Sequence, residues 1–501
     1  MLLYEFLRER MVQFPNQTIS DENTTLTYSE ALSYAENFAE ELQRGLRSNS
    51  PLSTLLSQLP VGVLCRSELN TGLGLLACFK AGITAVPLSS RYGDTHVERI
   101  VRRIGLSHII TDEDGKLSIK QIASNPSVLS SPANLRFASS CFPSPAPCVI
   151  MCTSGTTGAP KGAMLTDENL ITNLNDIGHY FSINETDKIL ISRPIYHSGV
   201  LTGEFLISLC RGLNIRFYNG EFNPLRLIKE IQEQKATVFG GTPTIFYHLC
   251  QTALRGKTAL PIRAAAVSGE CMTEAAAKAM RSAMPNIDIY SVYGLTEASP
   301  RVSALPPDQF DRYQLSVGFP LKSVEAKVEN GELLIRGKSI MKGYYNDPEK
   351  TKRAFVSSSP CELSKFATPC PPFPDSCALN PNSCFLRTGD AASIDNEGRI
   401  TIKGRLDNMI IRAGMNIFPQ EIENALKTDP RITDALAYGE QSGVTQRLCV
   451  KVVADGLNKQ DIMSICREHL PLYEIPDMVE IVDSLPRNAS GKLLRPKRNE
   501  L

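Results

Sequence analysis

Apolar residues along the chain follow two alternating periods, one typical of amphipathic helices and the other of buried strands. Residues 29–45 repeat apolar side chains every three or four positions and end at a glycine, which predicts a helix. Apolar runs at 61–65 and 85–88 predict buried strands, and residues 73–82 between them predict another helix. Further strands are predicted at 188–191, 215–218, 237–240 and 264–267. This alternation indicates layered α/β structure.

The pattern changes after Ser316, where short strands with alternating polarity are predicted at 325–328, 332–336 and 400–403. They indicate a small β subdomain. We expect a large N-terminal domain that combines this subdomain with the layered α/β subdomains.

The last part of the chain predicts a separate unit, with helices at 419–428 and 459–470. We therefore expect an N-terminal domain over residues 1–404 and a small, mobile α+β domain over residues 405–501.

Composition narrows the classes of partner. The 501 residues include 53 Lys and Arg and 53 Asp and Glu, so the formal charge is zero. Without a basic excess, neither nucleic acid nor an anionic membrane surface is an expected partner. No apolar run predicts a membrane span and no signal peptide is evident. The 14 cysteines lie mostly in apolar runs, which is typical of reduced core thiols, so a cytoplasmic location is expected.

Residues 357–384 are rich in proline, serine and cysteine. Their cysteines lack the close Cys-x-x-Cys pair of structural zinc sites; they are Cys361, Cys370, Cys377 and Cys384. A surface loop is the simpler interpretation, with metal or disulfide chemistry as the alternative.

One loop carries the strongest chemical signal. After an apolar run it contains small hydroxyl residues, glycines and a lysine, namely Thr153, Ser154, Gly155, Thr156, Thr157, Gly158 and Lys161. Backbone amides, hydroxyls and a positive charge together suit a polyphosphate. A helix is predicted after the loop, capped by Thr166. The spacing differs from the Walker loop, and a simple turn between strand and helix is the alternative.

This loop and further motifs resemble, in order, the signatures of the acyl-adenylate-forming superfamily, which includes acyl- and aryl-CoA synthetases, adenylation domains of peptide synthetases and beetle luciferase. The further motifs are Tyr293-Gly-Leu-Thr-Glu297, Gly331-Glu-Leu333 with Gly343-Tyr344, Arg387-Thr-Gly-Asp390, Gly404-Arg-Leu-Asp407, Gly414 with Pro419-Gln-Glu-Ile-Glu423, and Pro486-Arg-Asn-Ala-Ser-Gly-Lys492. The resemblance covers nearly the whole chain apart from residues 357–384.

The resemblance implies a site for ATP and Mg²⁺. Asp390 matches the carboxylate that binds the ribose hydroxyls. Glu297 matches the Mg²⁺ ligand, and Thr296 can reach a phosphate.

The same resemblance implies an adenine pocket. Tyr293 would stack on the base, Gly269 and Glu270 would form a second wall, and Arg405 belongs to the charged nucleotide-binding groups.

Three positions are implied to act in the two half-reactions. Lys492 matches the lysine that bridges the acyl carboxylate and the α-phosphate during adenylation. Asp407 matches the hinge about which the small domain rotates. Gly414 matches the glycine that leaves room for pantetheine.

The acid pocket is expected beside His197, which matches a residue at the substrate carboxylate. A mainly apolar tunnel is predicted from Gly199, Val200, Gly203, Phe239, Gly240 and Gly241. No aspartate occurs between Pro194 and Phe222 to pair an ammonium group, so an aryl or fatty acid without an α-amino group is expected.

The acceptor is expected to be the thiol of CoA, with a stand-alone phosphopantetheinyl carrier protein as the alternative. A non-catalytic nucleotide-binding protein of the same fold is an alternative of another class. It would be expected to lose the charged groups that this sequence retains.

Overall fold

The computed structural model describes residues 1–47, 60–90, 94–122, 146–153, 161–357, 384–412, 415–442, 445–487 and 493–495. In these ranges the helices are α1 Leu3–Met11, α2 Tyr28–Arg47, α3 Glu68–Ala81, α4 Asp94–Ile104, α5 Asp167–Tyr180, α6 Ser198–Val200, α7 Ile207–Arg211, α8 Pro224–Gln234, α9 Pro243–Arg255, α10 Glu274–Ala283, α11 Pro348–Ala354, α12 Pro419–Leu426 and α13 Lys459–His469. A π-helical turn, Leu201–Leu206, joins α6 to α7.

The strands of the same ranges are β1 Thr18–Ser20, β2 Thr25–Thr27, β3 Val61–Val63, β4 Ala85–Pro87, β5 His108–Glu113, β6 Lys116–Gln121, β7 Val149–Thr153, β8 Lys161–Leu165, β9 Lys188–Ile191, β10 Asn214–Phe217, β11 Val238–Gly241, β12 Ala264–Val267, β13 Asp288–Gly294, β14 Arg301–Leu305, β15 Phe319–Pro320, β16 Val324–Glu329, β17 Glu332–Gly337, β18 Gly343–Tyr344, β19 Phe355–Ser357, β20 Cys384–Ile394, β21 Ile400–Arg405, β22 Ile410–Arg412, β23 Met415–Ile417, β24 Ile432–Ser442, β25 Thr445–Ala454 and β26 Met478–Ile481.

Two large sheets form the N-terminal part of the fold. One has the order β15-β14-β13-β12-β11-β9-β10-β1-β2, and the other β18-β8-β7-β4-β3-β5-β6. Strands β10, β9, β11, β12 and β13 pair in parallel. Parallel strands end at the same edge of a sheet, so the segments that follow them converge there.

Helix α3 joins the two sheets into one apolar core. It is buried on nearly every side, as expected of a helix that is apolar all round. A Cβ atom at Gly72 would lie 2.8 Å from the ring of Phe205, and one at Gly74 would lie 3.1 Å from Val63. These two glycines therefore allow close packing towards the π-helical turn on one side and β3 on the other.

Two smaller sheets complete the fold. Strands β16, β17, β20 and β19 form the predicted β subdomain, with β21 paired to β20. Strands β24, β25 and β26 pack with α12 and α13 around a separate core that includes Ile422, Leu448 and Val450. The predicted fold class, α/β with a small β subdomain and a small α+β C-terminal domain, is thus confirmed.

The predicted boundary between residues 404 and 405 falls at the end of β21 and stays a prediction, as does the mobility of the small domain. Cys384 is buried at the start of β20, whereas residues 358–383 lie outside the described ranges. Across the ranges that the structure describes, helices with the length and apolar character needed to cross a bilayer are absent.

Candidate active site

Two paired antiparallel strands flank the predicted phosphate loop. Strands β7 and β8 are antiparallel, and Thr153 pairs with Lys161 as the last residue pair before the loop. The sequence interpretation of a strand followed by a loop and a helix missed β8, which lies between the loop and α5. Thr166 caps α5 as predicted, because its hydroxyl accepts a hydrogen bond from the Asn169 amide.

A cavity of about 530 Å³ gathers most of the predicted nucleotide-binding residues that the structure describes. Its lining includes Lys161, Gly269, Glu270, Tyr293, Thr296, Glu297, Asp390 and Arg405. These residues come from β8, the turn after β12, the end of β13, β20 and β21. Residues far apart in the sequence therefore converge at the carboxyl edge of the parallel strands.

Asp390 is held in a fixed orientation at this cavity. The residue is 8% exposed, and its carboxylate accepts hydrogen bonds from the Tyr293 hydroxyl at 2.5 Å and from Arg405 Nη1 at 3.3 Å. Burial, followed by the neighbouring Asp390 charge, raises the pKa of Tyr293 well above its ordinary value, so the phenol stays protonated and donates. Glu332 accepts from the Gly389 amide at 3.0 Å and supports the turn before Asp390.

Glu297 is held by a residue to which the sequence analysis gave no role. The Tyr344 hydroxyl donates to Glu297 Oε1 at 2.7 Å. Lys161 Nζ lies 5.6 Å from the centroid of the Tyr344 ring. Tyr344 thus links the predicted metal ligand to the lysine of the phosphate loop. The Gly343-Tyr344 motif was recognised, but only the pairing of β18 with β8 brings the tyrosine to the site.

The opposite wall is formed by the turn after β12. Gly269 adopts a φ of +92°, a conformation that favours glycine. Glu270 accepts a hydrogen bond from the Thr244 hydroxyl at 2.6 Å, which fixes its carboxylate against the start of α9. The wall predicted from these two residues is therefore present at the cavity.

His197 lies next to this cavity. Its ring is partly buried and packs on Tyr196 with centroids 4.1 Å apart. The adjacent Ser198 hydroxyl lies 3.1 Å from that of Thr296, a cavity residue. His197 therefore directly precedes Ser198, the residue through which α6 contacts Thr296 at the cavity.

The predicted mainly apolar tunnel stays a prediction, and two of its six residues lie beside charged side chains. A Cβ at Gly203 would meet the Arg301 guanidinium at 2.5 Å, and one at Gly240 would meet the Glu204 carboxylate at 2.5 Å. Phe239 is fully buried and packs on Phe246 in a hydrophobic cluster that is separate from the main core. Hydropathy along the sequence missed these charges because they come from an apolar helix and a distant strand.

Further charged residues of the C-terminal part line the cavity, among them Lys427, Asp434, Arg487 and Arg495. Asp434 bonds with Lys427 at 3.0 Å and also with Arg487, and Arg495 donates to a carboxylate of α12 at 2.6 Å. The sequence analysis assigned none of them.

Some predicted residues lie outside the described ranges, namely Ser154, Gly155, Thr156, Thr157, Gly158, Gly414 and Lys492. Arg487 and Leu493 flank the segment that carries Lys492. They pair as an isolated antiparallel bridge, and both line the cavity.

Comparison with known proteins agrees with this arrangement. Residues 7–345 match the family model for AMP-binding enzymes, and residues 421–492 match the model for the AMP-binding enzyme C-terminal domain. The O-succinylbenzoate coenzyme A synthetase of Bacillus subtilis, solved in complex with AMP, has the same fold, with a TM-score of 0.78 at 22% identity over 99% of this chain and 98% of that chain.

Two curated relatives illustrate the range of similarity. A feruloyl-CoA synthase from Amycolatopsis sp is 26% identical over 495 residues, which cover 94% of this chain and 93% of that protein. A mitochondrial medium-chain acyl-CoA ligase from Rattus norvegicus is 28% identical over 376 residues, which cover 71% of this chain. The match spans only 57% of that ligase. Because the family model alone matches more than half of the sequence, the resemblance predicted from the motifs is confirmed, and the chain belongs to the family of AMP-binding enzymes.

Proposed function

We propose that the protein uses ATP to activate a carboxylic acid as its acyl-adenylate and then transfers the acyl group to the thiol of CoA. The observation that carries the proposal is the single cavity at which Lys161, Glu297, Asp390 and Arg405 meet. A carboxylate and a triphosphate repel each other, so their reaction requires cations and oriented donors around both. A non-catalytic nucleotide-binding protein would have no need of this charged set.

The side chains at the cavity fit a nucleotide. Tyr293 and Arg405 orient the Asp390 carboxylate, and a charged acceptor suits the ribose hydroxyls of a nucleotide because charge-assisted hydrogen bonds are strong. The Tyr293 ring and the Gly269 turn would enclose the base. Lys161 and the hydroxyl-rich loop would hold the phosphates.

Glu297 and Thr296 fit a magnesium site, because Mg²⁺ prefers a few oxygen ligands supplemented by phosphate and water. When bound, Mg²⁺ would neutralise phosphate charge. Tyr344 orients the Glu297 carboxylate for this task.

The proposed reaction has two steps, adenylation of the acid and transfer of the acyl group to a thiol. An oxygen of the acid attacks the α-phosphorus, the bond to the β-phosphate oxygen breaks, and pyrophosphate leaves. The thiol of CoA then gives up its proton, its sulfur attacks the acyl carbon, and AMP leaves. Lys492 would lie between the two anions in the first step, and His197 would border the acid carboxylate.

The C-terminal residues 405–501 would act as a lid that turns at Asp407 between the two steps, with Gly414 beside the pantetheine in the second. The ion pairs of Asp434 at the cavity support direct contact of this segment with the site. The cytoplasm, which supplies ATP and CoA, is the proposed location.

The names of the relatives as CoA ligases and synthetases support free CoA as the acceptor. A carrier protein presents the same phosphopantetheine thiol and is therefore the second acceptor to test.

Acid-dependent exchange of labelled pyrophosphate into ATP tests the first step across a panel of acids. Mass spectrometry of the thioester formed with CoA, or with a loaded carrier protein, tests the second. Exchange together with acyl-CoA is the expected result. If exchange occurs but the thioester forms only on the carrier protein, the carrier protein and not CoA is the acceptor. Absence of exchange with every acid would reject the assignment as an enzyme.

A further inference from the structure

A cluster of buried charges lies beside the cavity, at the carboxyl edge of the large sheet. We call Arg193, Glu204 and Arg301 the buried triad. Arg193 follows β9, Glu204 lies in the π-helical turn, and Arg301 begins β14, where it is paired with Gly294 at the end of β13. In open α/β sheets this edge is where ligands bind.

The surrounding backbone makes room for these side chains. Gly203 and Gly240 lack the Cβ atoms that would collide with Arg301 and Glu204. Arg301 is 2% exposed and Glu204 is 1% exposed. Two charged groups thus occupy positions that a tunnel for a long aliphatic chain would need.

The charges of the triad do not balance. Arg193 and Glu204 form an ion pair. In the part of the chain that the structure describes, no carboxylate lies within the 4.0 Å of an ion pair from Arg301, so the triad keeps one net positive charge. Burial, together with the neighbouring Arg193 charge, lowers the pKa of Arg301 below its ordinary range, while a hydrogen bond with Tyr180 and the Glu204 charge oppose this shift.

The hydrogen bonds of the triad are also incomplete. Within the described residues, Nε of Arg193 and Nε of Arg301 are buried donors without an acceptor, and Oε2 of Glu204 is a buried acceptor without a donor. The hydroxyl of Thr202, within the π-helical turn, and that of Ser299, two residues before β14, are also without a partner among the described residues. Buried polar groups are normally satisfied, so this concentration indicates a polar group that is supplied from outside the chain.

Arg301 approaches Gly199, a residue of the predicted acid pocket. Arg301 Nη2 lies 3.5 Å from the carbonyl oxygen of Gly199. A Cβ at Gly199 would meet no described atom within 4 Å. Gly199 is partly exposed and lies two residues from His197, so a molecule held at the histidine can extend towards the guanidinium.

We propose that the acid activated by this enzyme carries a second carboxylate, and that this group pairs with Arg301. The proposal rests on the proposed function, because it names the substrate class of that same site. A guanidinium suits this role since its planar fork matches a carboxylate and retains its charge when buried. The second carboxylate would neutralise the triad, whereas an aliphatic chain would bury the unpaired charge further.

Pyrophosphate exchange with matched pairs of acids tests the proposal. Hexanoate is compared with adipate, and benzoate with 4-carboxybenzoate. We expect the diacid of at least one pair to show a kcat/KM at least tenfold above that of its monoacid. We expect Arg301→Met to reverse this preference by at least tenfold. Arg399→Met is the matched control, because Arg399 is also buried but pairs with Asp395 and Glu397 away from the cavity.

The outcomes separate the two proposals. Exchange in the wild-type protein in which neither diacid exceeds its monoacid by tenfold overturns the second-carboxylate proposal and leaves the proposed function standing. Absence of exchange with every acid overturns the proposed function, and this inference with it. If Arg301→Met fails to fold by its thermal transition, Arg301→Gln, which keeps polar atoms but no charge, must lose the diacid preference.

Discussion

Tyr344 and Glu297, 47 residues apart in the sequence, are joined by a hydrogen bond of 2.7 Å from the phenol to the carboxylate. The bond connects β18, at the edge of one large sheet, with the turn that follows β13 of the other. The proposed metal ligand is therefore oriented by the contact between the two sheets. Side chains that form hydrogen bonds with a metal ligand commonly tune the affinity of the site for its metal.

Replacing Tyr344 with phenylalanine removes this bond and little volume. We expect the kcat/KM of adenylation to fall about tenfold, which corresponds to the loss of one hydrogen bond to a charged group. We also expect the Mg²⁺ concentration at half-maximal rate to rise, as measured by pyrophosphate exchange during a Mg²⁺ titration. Tyr34→Phe is the control, because the Tyr34 hydroxyl accepts from the Leu117 amide in β6. An unchanged Mg²⁺ requirement in Tyr344→Phe would contradict the orienting role.

Asp390→Asn keeps the shape of the side chain but removes its charge. We expect the KM for ATP to rise by about 10- to 100-fold, because charge-assisted bonds to ribose hydroxyls would be lost. The KM for the acid should stay nearly constant. Asp395→Asn, on the exposed turn after the same strand, should leave both values unchanged. A similar rise in both KM values for Asp390→Asn would indicate general loss of structure.

Lys492→Ala is expected to slow adenylation by about 10²–10³-fold, because the cation between two reacting anions would be lost. Thioester formation from a supplied acyl-adenylate and CoA should continue at nearly the wild-type rate. Separate assays of the two half-reactions measure this division. Lys459→Ala, an exposed lysine at the start of α13, should affect neither step. Equal loss of both half-reactions would reject the assignment.

The pKa of Asp187 predicts how the free energy of unfolding depends on pH. Burial alone would raise the pKa of Asp187, but hydrogen bonds from Arg263, the Asn184 amide and Thr237 together hold it below its ordinary value. The folded state therefore favours the ionised carboxylate. This contribution is fully present above the unfolded pKa of about 3.9 and is lost as the pH falls through the lower folded value.

Asp187→Asn should lower the free energy of unfolding at pH 7 by about 1–3 kcal/mol, because Arg263 would lose its ionised partner. The difference from wild type should shrink as the pH falls below about 4. Urea unfolding at several pH values measures both effects. A difference that stays constant from pH 7 down to the acid transition would contradict this explanation.

The sequence predicted elements with strong periodicity well. Two predicted strands, now β9 and β12, have the bounds expected from their apolar runs. The predicted helix at 29–45 extends over Tyr28–Arg47, and Gly82 ends α3 in a left-handed conformation as a terminal glycine should. The local sequence predicts the bounds of these elements because burial of one face, or of the whole element, imposes a regular pattern of apolar residues.

Contacts between distant segments could not be predicted in the same way. Strand β8 was missed because its five residues directly follow a loop rich in glycine and hydroxyl side chains. Arg301 was not considered because it follows a recognised motif in an apolar strand, where local sequence gives no sign of the guanidinium's destination. Only the folded structure shows that the guanidinium lies against Gly203 of the π-helical turn.

The Gly72 contact with Phe205 has a consequence for how acid preference could evolve. Phe205 adjoins Glu204 in the same π-helical turn, so α3 packs against the segment that carries the carboxylate of the triad. Enlarging residue 72 to alanine would push the aromatic ring, and with it the carboxylate that pairs with Arg193. If Arg301 selects the acid as proposed, a substitution in helix α3 would therefore alter substrate choice through the packing of Phe205.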